Sequence, residues 1–258
     1  MTDTLTPANT QAPLLEDCAV LELRDYTLHP GRRDELITLF EREFIESQEA
    51  TGQRVIAQFR DLDRADHFVW LRGFADMASR RHALEGFYGG PVWASHRNAA
   101  NATMIDSDNV RLLRPAKPSW ALTTPAAPRA RSDAEGDAGS ATVFALTLCA
   151  LQVAPYAAFK RWFEREALPL LREAGAMPIA VFETEPALND YPRLPVRTDE
   201  QVFAWLARLP TAVAWAQAER RLAGMWAWRE QVLPRLQSPL TRPPITLRLQ
   251  PTARSLLR

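Results

Sequence analysis

Cysteine is scarce in this chain of 258 residues: Cys18 and Cys149 stand 131 positions apart, in no CxxC or CxxxC pair. That spacing excludes a disulfide framework and a zinc knuckle, and both thiols are expected to be reduced. No apolar run approaches the roughly 18 residues that a bilayer-spanning helix needs. The N-terminal stretch MTDTLTPANTQAPLLED has neither a basic region nor an apolar one of the secretory kind. The expectation is a soluble, cytoplasmic chain with no membrane partner. An excess of one charge is missing too, since 31 basic and 31 acidic side chains give a formal charge of zero. The electrostatic argument for a nucleic-acid partner falls with it. GxGxxG after a strand, GxxxxGK[ST], HExxH and GxSxG are all absent, so dinucleotide, P-loop, zincin and hydrolase chemistry lack their parts, and no cofactor is assigned. Asp106-Ser107-Asp108-Asn109 has neither the glycine nor the terminal glutamate of a calcium loop and reads as a turn.

What remains is an ordinary globular composition, 47% apolar and 24% charged, and an internal repeat. FERE occurs at 40–43 and again at 163–166, an offset of 123 that also pairs Gly52 with Gly175, Ile56 with Ile179, Ala57 with Ala180 and Phe59 with Phe182. Further on the offset is 135, pairing Phe68 with Phe203, Trp70 with Trp205, Leu71 with Leu206 and Trp93 with Trp228. The difference of 12 residues is assigned to PALNDYPRLPVR (186–197), an insertion in the second copy. The domain reading is an arm at 1–16, a first copy at 17–115, a linker rich in Pro, Ala, Asp, Gly and Ser at 116–141, and a second copy at 142–251.

Within the first copy, VLELRDYTL alternates as a strand, and Leu36, Leu39, Phe40 and Phe44 fall at helical spacing behind Asp34 and Glu35. RVIAQFR and HFVWLRGF form a hairpin through the acidic loop DLDRAD, whose Asp61, Asp63 and Asp66 read as a solvated tip. Gly89-Gly90 ends a second helix, Pro91 opens another, and VRLLR closes the unit. Strand, helix, strand, strand, helix, strand is the ferredoxin-like order. The fold class is therefore α+β, two tandem ferredoxin-like units pairing face to face into an intramolecular α/β barrel, a pseudo-dimer. LELRDYTLHPGRRDEL, FVWLRGFADMASRR and FYGGPVW resemble the NIPSNAP family of the dimeric α/β-barrel superfamily. That superfamily includes antibiotic-biosynthesis monooxygenases and haem-degrading enzymes, and NIPSNAP relatives are also known as scaffold and trafficking-associated proteins. The resemblance fixes no reaction.

The two copies serve as controls for each other. Glu22, Arg24 and Tyr26 share one face of the first strand, where the second copy has Ala145, Thr147 and Cys149. Arg72, beside Trp70, becomes Ala207, while His96, Asn98 and Asn101 become Gln231, Leu233 and Leu236. If these faces meet inside the barrel, a small-molecule pocket forms on the first copy's side. Arg24 and Arg72 would hold an anionic or carbonyl oxygen, and Tyr26 and His96 would move protons. Tyr26, Arg72 and His96 are thus the catalytic candidates, and Glu22, Arg24, Trp70, Trp93, Asn98 and Asn101 the substrate-binding ones. The plainer reading of Glu22, Arg24 and Arg72 is a salt-bridged sheet face. Trp162, Trp205, Trp215, Trp226 and Trp228 read as core of the second copy. Three functions stay open: a cofactor-independent monooxygenase-like or isomerising enzyme, an interaction scaffold, and a haem protein with His82 or His96 as axial ligand. Further homodimerisation is compatible with each.

Overall fold

The computed structural model describes residues 14–123, 129 and 140–258. Most of the 1–16 arm and the middle of the 116–141 linker lie outside the described residues. The described start of that linker is packed down: Leu122 is buried, and Trp120, in a 3₁₀ turn at Pro118–Trp120, meets the Phe163 ring edge-on at 6.1 Å.

Strand β1 (Val20–Leu28) leads into helix α1 (Arg33–Leu39), a π-helical turn (Phe40–Phe44) and α2 (Ile45–Glu49). Strands β2 (Arg54–Asp61) and β3 (His67–Phe74), helices α3 (Met77–Gly89) and α4 (Pro91–Asn101), a short β4 (Met104–Asp106) and β5 (Val110–Pro115) complete the first half. The second half runs β6 (Val143–Leu151), α5 (Ala157–Trp162), a π turn (Phe163–Ala167), α6 (Leu168–Ala174), β7 (Pro178–Thr184), β8 (Gln201–Leu209) and α7 (Ala212–Gly224). A third π turn (Trp228–Val232), α8 (Leu233–Gln237) and β9 (Ile245–Pro251) follow. Both FERE segments form π turns, and Gly52 (φ 93°) and Gly175 (φ 88°) both take the left-handed conformation that turns the chain from helix toward strand. Asp76 caps α3 by accepting from the Ser79 amide at 2.7 Å, and Thr211, 135 positions later, caps α7 through Ala214.

All strand pairings are antiparallel, in the order β3-β2-β9-β6-β8-β7-β5-β1-β4, with β1 also pairing β3. Eight strands thereby close a barrel, and β4 flanks β1. The two half-sheets join at their edges, through β2–β9 and β5–β7, and the barrel itself makes their inner faces meet. Leu21, Leu23, Phe59, Val69 and Leu71 of the first half and Phe144, Leu146, Phe182 and Leu206 of the second fill the interior. Alternation then sends Glu22, Arg24, Tyr26, Trp70 and Arg72 to the outer face, beneath the helices. This corrects the expectation that they point inside: an interior walled on every side by apolar strand faces offers nothing to satisfy a charge. The hairpin loop is also less solvated than expected, because Asp61 is buried and accepts from the Asp63 and Arg64 amides. Among the described residues no helix is long and apolar enough to cross a membrane.

Candidate functional site

Each half has a cleft between its sheet and its helices, and the two clefts are built from equivalent positions. In the first half β1 and β3 set Glu22 opposite Arg72 and Arg24 opposite Trp70. Glu22 Oε2 accepts from Arg24 Nη1 at 2.9 Å and Arg72 Nε at 2.7 Å, and its Oε1 accepts from Arg80 Nε at 2.7 Å. Glu22, Arg72 and Arg80 are wholly buried and Arg24 nearly so. Burial alone would raise the Glu22 carboxyl, but Arg72, Arg24 and Arg80 outweigh it and hold the group far below the usual carboxylate range. Arg24 Nε donates to the Tyr26 hydroxyl at 2.9 Å, and burial pushes that phenol above its ordinary value. Arg72 Nη1 donates to Gln48 and Gln53, each at 3.1 Å, and its guanidinium lies 5.0 Å from the Trp70 ring centre.

The structure therefore brings Glu22, Arg24, Tyr26, Trp70 and Arg72 together, with Trp93 packed beside them on Phe44, Phe87 and Tyr88. It does not bring in the rest. His96 sits half-buried against Phe44, 3.5 Å from Glu43, and Asn98 and Asn101 are exposed. The space left among Tyr26, Gln48, Trp70, Tyr88 and Trp93 is only about 30 Å³, room for a single water.

The second half's cleft is open. About 500 Å³ lies between β6, β8 and β9 on one side and α6, α7 and the chain from Trp228 to Leu236 on the other. Ala145 and Ala207, paired across β6 and β8, occupy the positions of Glu22 and Arg72. Leu171, Ala176 and Trp215 stand where Gln48, Gln53 and Arg80 stand in the first half, and all line the cavity. The alanines at 145, 176 and 207 remove the volume of Glu22, Gln53 and Arg72, and that loss accompanies the open space. Trp205, Trp215 and Trp228 form its apolar walls, so they are more than core, whereas Trp226 is largely exposed. The polar groups are few: Thr147 and Thr246, whose hydroxyls lie 3.0 Å apart, Glu219, Arg229, and the buried Trp215 indole N–H, which has no partner. Among the described residues no histidine or cysteine lines it. Burial pushes the Cys149 thiol, beneath the same helices, up to about 12. Among the described residues no group of three His, Cys, Asp or Glu side chains is placed to hold a metal ion.

Sequence reasoning missed Arg80, Gln48 and Gln53 in the first cleft and the lining role of Trp215 in the second. The 123 and 135 offsets contained the signal, since Arg80 aligns with Trp215 and Gln48 with Leu171. Their positions on helices or, for Gln53, in the turn before β2, outside the strand faces being compared, hid it.

The fold has solved counterparts. A monooxygenase-like protein from Fusobacterium nucleatum superposes with a TM-score of 0.53 at 7% identity, covering 90% of this chain and 91% of that one. Another from Lactobacillus acidophilus gives 0.51 at 13% identity over 92% and 96%. An anthrone oxidase-like protein gives 0.50 at 15% identity over 93% and 96%. At these identities the likeness shows the fold, a barrel of the dimeric α/β type built here within one chain. No curated protein sequence matches the chain. The family model for NIPSNAP matches residues 21–120, the half that carries the charged cluster.

Proposed function

We propose that the protein binds a flat, mostly apolar organic molecule bearing an oxygen, and that it does so in the cleft of the second half. The observation that carries this reading is the replacement of Glu22 and Arg72 by Ala145 and Ala207, which accompanies a cavity of about 500 Å³ in place of one of about 30 Å³. That volume is of the order that small-molecule sites have, and an apolar wall with a few convergent polar groups is their usual lining. Trp205, Trp215 and Trp228 offer ring faces for stacking. The unpartnered Trp215 N–H and the Thr147–Thr246 pair would meet the ligand's oxygen. Glu219 is the one carboxylate among the described lining residues, so proton removal from a bound molecule would fall to it. The monooxygenase-like structures make oxygenation the reaction class to assay, while binding is argued from the cleft alone. In this reading Glu22, Arg24, Tyr26 and Arg72 fill, in the first half, the space that a ligand takes in the second.

Titration with 2-naphthol, followed by tryptophan fluorescence, tests the reading. Saturable quenching is expected, with affinity at least tenfold weaker in Ala207→Leu. That variant should keep or gain thermal stability, because the added carbons enter empty space. Unsaturable quenching, or identical titrations of the two proteins, would overturn it.

A further inference from the structure

The twelve residues 186–197 leave the second half between β7 and β8 and lie against the first half's charged cluster. Asn189 Oδ1 and Asp190 Oδ1 accept from Arg80 Nη1 at 3.1 and 2.7 Å. The next ring, Tyr191, stacks on Tyr88 with centres 6.3 Å apart and planes 25° apart. It is buried with Val20, Phe74, Ala83 and Leu84. The segment holds its own shape: Asn189 Oδ1 accepts from the Tyr191 amide and Asn189 Nδ2 donates to the Leu194 carbonyl. It contains neither helix nor strand, and the Arg197 amide ties its far end to the Val110 carbonyl.

Charge beneath it is unbalanced. Arg24, Arg72 and Arg80 converge on one interior carboxylate, Glu22, and Asp190 is the second carboxylate that reaches them. Asp190 is also the accessible member, with 26% of its side chain exposed against none for Arg80. Arg80 Nη2 is buried and has no hydrogen-bond partner. A buried guanidinium needs an acid beside it; Arg80 shares Glu22 with Arg24 and Arg72, and its second acid comes from a surface segment.

We infer that 186–197 is a strap closing a carboxylate site in the first half, with Asp190 holding the place of a ligand carboxylate on Arg80 and the Tyr191 ring that of the ligand's flat body on Tyr88. The ligand class is a small aromatic carboxylate, which enters as the strap lifts. The guanidinium of Arg80 takes a free carboxylate in the fork geometry that Asp190 uses only in part. This site is separate from the open cleft of the second half and does not depend on it.

The test uses the full chain in the Ala207→Leu background, which weakens binding in the other cleft equally for every variant compared, with isothermal titration of 2-naphthoate and its neutral counterpart 2-naphthamide. Asp190→Asn keeps the shape of the strap and removes its charge. Asp190→Ala combined with Tyr191→Ala removes both stand-ins. Naphthoate is expected to bind Asp190→Asn about tenfold tighter than the parent, and the double variant tighter still, with no gain for naphthamide. If the double variant does not fold, Asp190→Asn alone decides. Equal gains for the two probes, or no gain for naphthoate in folded Asp190→Asn, would refute the strap.

Discussion

The two oxygens of Glu22 receive hydrogen bonds from Arg24, Arg72 and Arg80 in a space that water does not reach. Replacing that carboxylate leaves three buried guanidinium groups with Asp190 as their only acid among the described residues, and breaking a buried pair typically costs about 3–5 kcal/mol. Glu22→Gln should therefore lose about that much stability in urea unfolding at neutral pH. The pH dependence follows from the direction of the shift. The folded carboxyl is held below its ordinary value of 4.5, so its contribution is complete above that pH and is lost progressively as pH falls further. The gap between Glu22→Gln and the parent should narrow at about pH 3; a gap of the same size there would contradict the assignment. The comparison of copies picks out Glu22, Arg24 and Arg72 as polar where their counterparts are not. It cannot reveal whether such residues bind a ligand or one another, because a salt-bridged cluster and a polar ligand site use the same residue types.

Among the elements, the two FERE turns bear on how much length change a helix tolerates. A π turn holds one residue more than an α turn, so removing one restores regular helix and leaves the following turn facing as before. Deleting exposed Arg42 from Phe40–Phe44 should keep Gln48 aimed at Arg72 and preserve cooperative unfolding with a modest loss in melting temperature. Deleting Arg81, equally exposed but inside regular α3, has no such slack and rotates one part of that helix by about 100° against the other. Either Arg80 or the Phe87 contact is then lost. Circular dichroism melts of the two deletions compare them directly, and a less damaging Arg81 deletion would refute the argument. The helix itself is legible in Leu36, Leu39, Phe40 and Phe44; the π turn is not, because a side-chain period cannot distinguish one wide turn from a small drift of the face.

At the scale of the whole molecule the halves depend on each other. Pairings β2–β9 and β5–β7 join them, and Leu21, Leu23, Phe59, Val69 and Leu71 are covered by the second half's strands. Each large aliphatic or aromatic side chain exposed by separation costs roughly 1.5–3 kcal/mol. Residues 14–123 produced alone should therefore pair with a second copy or with separately produced 140–258. Light scattering during size exclusion would show this, and a stable monomer would overturn it. The sequence by itself determined the strand and helix order, the 123 and 135 offsets, and the α+β barrel class, because local alternation, turn glycines and helix caps act over a few residues. Tertiary structure alone decided which strand face turns inward, where the open cleft lies, and that 186–197 crosses to the other half. Both faces of these strands are buried, so polarity does not identify the barrel side, and a cavity is a volume left over when distant side chains are too small to meet.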